Sequence, residues 1–149
     1  MRVGRLLFYL LVSGLFAGFA GGFVAAWLVA LLGLGVLALL PPGWIIGFMG
    51  GFTGLKLAAL PAAVLGGLLW HYRIRNKWAW AGAGALAGLV LFALVALIPA
   101  ADEMAGDILG GPEGLKFLPI GLPAGAFAAL VFRVVFDSLT AFDDSLAAD

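Results

Sequence analysis

The chain has 149 residues, of which 64% are hydrophobic and 11% charged, and its formal net charge at pH 7 is zero. Ordinary globular proteins carry roughly 25% charged residues, so this composition excludes a soluble domain with a polar surface and predicts an integral membrane protein. Because the chain has no cysteine, it excludes disulfides, thiolate nucleophiles and cysteine-ligated metals, and zero net charge gives no attraction to nucleic acid.

The first predicted element is a membrane span over residues 6–38. A run of fifty uncharged residues, 6–55, follows Arg5, whereas a helix needs only about 20 residues to cross the hydrocarbon. A Pro-Pro-Gly sequence at 41–43 predicts a turn within that run, so the first helix ends before it. We expect an uncleaved anchor, because the apolar stretch contains no polar cleavage region.

The second predicted span covers residues 56–72. Lys56 lies 17 residues before Arg73, a separation of about 25 Å along a helix, which suits two charges at opposite membrane interfaces. This placement leaves residues 43–55 as a separate element on the outer side of the membrane.

The predicted outer-side element combines aromatic residues with glycines at helical spacing. Its glycines recur every fourth residue, at Gly43, Gly47 and Gly51. An aromatic residue follows each glycine directly, namely Trp44, Phe48 and Phe52, and Thr53 follows Phe52. One interpretation is an aromatic-anchored helix on the membrane surface. The other is a re-entrant segment that lines a pore, since irregular backbone at membrane depth must be buried in protein or face water.

The third and fourth predicted spans cover residues 78–100 and 117–136. The fourth reaches full length only if the Arg133 side chain extends to the interface. Residues 137–149 then form an acidic cytoplasmic tail. The predicted fold class is all-α, a polytopic integral membrane protein whose four transmembrane helices form a bundle over residues 1–136.

The basic residues predict the orientation of the chain. Six of the eight lie at the N-terminus, at the 71–77 turn or at the end of the fourth span, on one side of the membrane. The positive-inside rule therefore predicts a multi-pass protein of the inner membrane with both termini in the cytoplasm. The predicted interface anchors are Lys56, Arg73, Arg75, Lys77 and Arg133.

The two halves of the chain show a weak sequence similarity. A Gly-Leu-Lys sequence at 54–56 precedes Pro61, and the same three residues at 114–116 precede Pro123. This pattern is typical of two tandem helical-hairpin repeats, although chance similarity between Leu-, Ala- and Gly-rich helices is an equal alternative.

Glycines spaced four apart predict close contacts between helices, because helix packing in membranes relies on small residues. Nine such pairs occur in the chain. The predicted packing residues are Gly14, Gly18, Gly22, Gly84, Gly88, Gly121 and Gly125. They serve either the packing of this chain or the docking of other subunits.

The predicted spans lack the residues that catalysis requires. They contain no Asp, Glu, Asn or Gln, and His71 is the only histidine in the chain, so the sequence predicts no enzyme, no cofactor and no metal site. We therefore expect a non-catalytic accessory or structural subunit that packs through glycine-rich helix faces against lipids, other subunits or copies of itself. The alternative is a small homo-oligomeric channel or facilitator for a small solute or ion, since backbone carbonyls can select solutes without charged side chains.

Overall fold

The computed structural model of the chain describes residues 3–97 and 114–146. All regular secondary structure in these ranges is helical. The elements in chain order are helix α1 (Val3–Leu34), a short 3-10 helix (Gly35–Leu39), helix α2 (Pro41–His71), helix α3 (Lys77–Leu97), a second 3-10 helix (Gly114–Ile120) and helix α4 (Gly121–Leu146).

The prediction of an all-α chain with four long apolar helices is confirmed. Within the described residues, four helical segments are long and apolar enough to cross a membrane, and they contain 37, 31, 18 and 27 residues. The last residues of the predicted third span, 98–100, lie outside the described residues, as do 147–149 of the predicted tail. The remainder of that tail continues helix α4 to Leu146.

Helix α2 differs from the predicted pair of elements at 43–55 and 56–72. It runs without a break from Pro41 to His71, so residues 43–55 form its first half rather than a separate element. Its two initial prolines occupy the first turn, where backbone amides have no helical partner. Pro61 removes one internal hydrogen bond, yet the helix continues beyond it.

The turn at the end of α2 has an arginine in a position that usually requires glycine. Arg73 has a φ of +54°. The amide of Ile74 donates to the Leu69 carbonyl over 3.0 Å, and the amide of Arg73 donates to the Trp70 carbonyl over 2.9 Å. This pair of bonds is the Schellman motif, in which the left-handed residue is most often glycine.

Replacing Arg73 with glycine is expected to stabilise the fold by up to about 1 kcal/mol, because the left-handed conformation is costly for a residue with a Cβ atom. The midpoint of thermal unfolding in mild detergent measures this gain. Arg75→Gly is the matched control, since it removes the same charge from the same turn without relieving a positive φ. An equal gain in both variants would contradict the interpretation.

The four helices form two hairpins, which pack against each other along one surface. Helix α1 packs along α2, α3 packs along α4, and the hairpins meet where α1 packs on α4. The spatial order is therefore α2, α1, α4, α3, and α2 and α3 touch only slightly although they are consecutive in the chain. The contact of α1 with α4 has no equally large counterpart between α3 and α2, so the tandem repeat stays a prediction.

An aromatic cluster holds the hairpins together near the 72–76 turn. The rings of Trp80 and Phe132 stack at 6.0 Å, and those of Phe132 and Phe136 stack at 5.9 Å. All three are at most 4% exposed and pack with Ala17 of α1. The indole nitrogen of Trp80 also donates to the Ile74 carbonyl over 2.7 Å, which fixes the turn to helix α3.

Candidate interfaces between helices and with partners

Glycines on facing helices hold the first hairpin together. A Cβ atom placed on Gly18 of α1 would lie 2.9 Å from the Ala59 nitrogen and 3.0 Å from the Gly54 carbonyl oxygen. A Cβ atom on Gly22 would overlap the Gly50 carbonyl oxygen and lie 2.7 Å from the Gly54 Cα atom. Because no side chain fits between these backbones, the hairpin depends on glycine at these positions.

Gly14 extends the same contact toward the 72–76 turn. A Cβ atom on Gly14 would lie 2.5 Å from the Ala59 carbonyl oxygen and 2.9 Å from the Ala63 Cβ atom. The three predicted glycines of α1 therefore all face α2.

Glycines also bring the two helices of the second hairpin, α3 and α4, into close backbone contact. A Cβ atom on Gly121 of α4 would lie 2.7 Å from the Gly88 carbonyl oxygen, and one on Gly125 would overlap the Gly84 carbonyl oxygen. All seven predicted packing glycines thus lie at contacts between helices of this chain. Any surface that binds a partner through the described spans must include other residues.

Phe132 is the residue at which all four helices meet, and the sequence did not single it out. Its ring stacks on Trp80 of α3, packs with Ala17 of α1 and covers Gly66 of α2, where an added Cβ atom would lie 2.7 Å from the ring at Cδ1. No local pattern identifies such a site, because it depends on the packing of helices that are distant in the chain.

The glycines predicted as part of a re-entrant or pore element lie against α1, at Gly47 and Gly51, and against the first 3-10 helix, at Gly43. Added Cβ atoms would lie 2.8 Å from the Phe23 ring at Gly47 and 2.7 Å from the Phe19 ring at Gly51, and one at Gly43 would overlap the Ala38 carbonyl oxygen. In this structure, rings of α1 therefore occupy the space beside Gly47 and Gly51.

Beside these glycines, aromatic rings of α1 pack between aromatic rings of α2. Phe23 contacts the ring of Phe48 edge-on at 5.5 Å, and Phe19 contacts that of Phe52 edge-on at 5.6 Å. Trp44 lies 5.8 Å from Phe23. Phe48 and Phe52 nevertheless keep 52% and 62% of their surface exposed. The Thr53 hydroxyl donates to the Met49 carbonyl over 3.2 Å, so its hydrogen-bonding capacity is used within the helix.

The basic residues predicted as anchors occupy three environments. Arg73, Arg75 and Lys77 are exposed around the turn between α2 and α3. The Arg133 Nε atom lies 3.5 Å from the Asp137 carboxylate one turn later. Its Nη1 atom is buried and has no hydrogen-bond partner among the described residues. Lys56 is exposed in the middle of α2, away from both ends of the helix.

The described residues contain no group of three or more His, Cys, Asp or Glu side chains able to hold a metal ion. The acidic residues at 102, 103, 107 and 113 lie outside those ranges. Comparison of the chain with protein-family models, with curated proteins and with solved structures finds no match.

Proposed function

We propose that this protein is a non-catalytic accessory subunit of a larger membrane complex, built from four membrane spans with both termini in the cytoplasm. One observation carries the proposal. The glycine faces are used within the chain, at Gly22 against Gly50 and at Gly121 against Gly88, while the outer faces of the helices remain apolar and exposed. The hairpins then act as a scaffold, and the outer faces dock other subunits.

The open arrangement of the helices supports this role. In each span, between 11% and 22% of the residues in the most apolar window are buried, so most side chains keep some surface open to lipid or a partner. The order α2, α1, α4, α3 gives each terminal helix of the row a long free face. In lipid, apolar side chains gain little by leaving the bilayer, so a partner is recognised by close packing and by polar groups.

The basic turn supports the proposed orientation. Arg73, Arg75 and Lys77 are all exposed there, and the Trp80–Phe132 stack places Arg133 at the same end of the molecule. The positive-inside rule assigns such an end to the cytoplasm, and the membrane we propose is the inner membrane.

The first hairpin is longer than a bilayer requires. Trp44 and Trp70 are separated by 26 residues of one helix, or about 39 Å, against about 30 Å of hydrocarbon. If these tryptophans lie at the two interfaces, the helix tilts by about 40°.

Extraction from the native membrane in mild detergent, followed by native mass spectrometry, tests the proposal. We expect the chain in a stoichiometric assembly with at least one other membrane subunit. A lone monomer would contradict the proposal. Solute-specific flux through liposomes that contain only this chain would also contradict it and favour a channel.

A further inference from the structure

Lys56 occupies the centre of helix α2. It lies 15 residues from each end of the helix, Pro41 and His71, which is about 22 Å along the axis in both directions. Trp44 and Trp70 lie 12 and 14 residues away, or about 18 and 21 Å. If these tryptophans lie at the two membrane interfaces, Lys56 is near the bilayer midplane rather than at the interface predicted from its spacing to Arg73.

The surroundings of Lys56 on α2 are apolar. The side chain is exposed, and its exposed apolar neighbours within about one turn are Phe52, Leu57 and Leu60, with 62%, 48% and 70% of their surface accessible. The one exposed polar neighbour in that range is Thr53, whose hydroxyl donates to the Met49 carbonyl. Within residues 3–97 and 114–146, Lys56 makes no ion pair or hydrogen bond through its side chain. A charged group at membrane depth is costly and is kept where it pairs with another group.

Two sources of an anion are disfavoured by geometry. A lysine side chain extends by only about 6 Å toward an interface, whereas at a helix tilt of about 40° Lys56 lies about 14 Å in depth from the nearer tryptophan level. A lipid phosphate is therefore out of reach unless the bilayer thins. A second copy of this chain has no Asp or Glu in any of its four apolar spans before Asp137, so those spans provide no carboxylate at that depth.

We infer that Lys56 is the recognition site for an Asp or Glu carboxylate in a membrane span of a different subunit. The inference rests on the proposed accessory function and names the chemistry of the partner surface. The partner helix packs along the outer face of α2, with its carboxylate at the depth of Lys56 and apolar residues against Met49, Leu60 and Val64, which are all exposed. Pairing two charges in a low-dielectric medium gives strong specificity for partner and depth.

A designed peptide tests the inference without the native partner. The probe is a Leu- and Ala-rich transmembrane helix of 21 residues with one central Asp, co-reconstituted with the full chain in phosphatidylcholine vesicles. Energy transfer between labelled peptide and labelled chain measures association. We expect the Asp peptide to bind at least tenfold more tightly than the same peptide with central Leu, and we expect Lys56→Met to abolish the difference.

Matched variants separate a specific site from a general charge effect. Lys56→Arg is expected to keep the preference for the Asp peptide. The double variant Lys56→Leu, Leu57→Lys, which moves the charge about 100° around the helix, is expected to lose it. No preference of the wild-type chain for the Asp peptide, or a preference unchanged in Lys56→Met, would overturn the inference. If the Asp peptide has no such effect and anionic phosphatidylglycerol stabilises the chain instead, the inference is also overturned and Lys56 is assigned to lipid.

The native assembly distinguishes this inference from the proposed function. If Lys56→Met releases the partner while the variant remains folded, both stand. If the wild type and Lys56→Met form the same complex, the Lys56 inference fails and the accessory function stands. A wild-type chain that is a lone monomer contradicts the proposed function.

Discussion

Replacing Gly22 with leucine is expected to separate helices α1 and α2 and to destabilise the fold by about 3 kcal/mol or more. A Cβ atom there overlaps the Gly50 carbonyl oxygen, and the nearest atoms of Gly54 are also backbone. Backbone atoms cannot rotate away as a side chain does, so the helices must move apart. The expected result is a large fall in the midpoint of thermal unfolding in mild detergent.

Gly33→Leu is the matched control for Gly22→Leu. Gly33 lies in the same helix, and an added Cβ atom there has no other atom within 4 Å. This variant is expected to unfold at or above the wild-type midpoint, because leucine has a higher helix propensity than glycine. Similar losses in the two variants would show that the close backbone contact is not what holds the hairpin.

Phe132→Ala is expected to be the second large effect, with a loss of about 3 kcal/mol. The ring is 1% exposed, shares a buried cluster with Ala17 of α1 and Trp80 of α3 and lies against Gly66 of α2, so its removal leaves a cavity at their common junction. In lipid the loss comes from van der Waals contacts rather than from exposure to water. Phe127→Ala on the same helix is the control, since Phe127 is 47% exposed and its loss is expected to cost much less.

A double-mutant cycle with Gly66 isolates the contact. Gly66→Ala is expected to destabilise the wild type, because the added Cβ atom overlaps the Phe132 ring. The same change is expected to cost little when Phe132 is alanine, since the space is then empty. Additive losses would contradict a direct contact between the two residues.

The sequence predicted the helices of this fold better than their contacts. Long apolar runs identify apolar helices, so α1 (Val3–Leu34) and α3 (Lys77–Leu97) cover most of the residues in the predicted spans 6–38 and 78–100, whose crossing of a membrane stays a prediction. The spacing of Lys56 from Arg73 predicts two separate elements at 43–55 and 56–72, whereas helix α2 runs unbroken from Pro41 to His71. Nothing between Gly43 and Lys56 breaks a helix, and the glycines there pack against rings of α1.

The candidate interfaces were predicted only in part. Spacing by four identified Gly22 and Gly88 as packing residues, yet an apolar helix has no polar face that shows which neighbour it meets. The junction at Phe132 depends on three other helices and leaves no local signal. The left-handed Arg73 was also missed, because a sequence predicts glycine in that role.

Labelling of two single-cysteine variants tests the central claim, that the apolar hairpins cross a membrane with the basic turn in the cytoplasm. Wild type has no cysteine, so Val36→Cys and Arg75→Cys each carry one thiol. Val36 is 80% exposed in the turn between α1 and α2, and Arg75 is exposed in the turn between α2 and α3. With a membrane-impermeant maleimide, we predict labelling of position 36 only in right-side-out vesicles and of position 75 only in inside-out vesicles. Labelling of both positions from the same side would contradict the account.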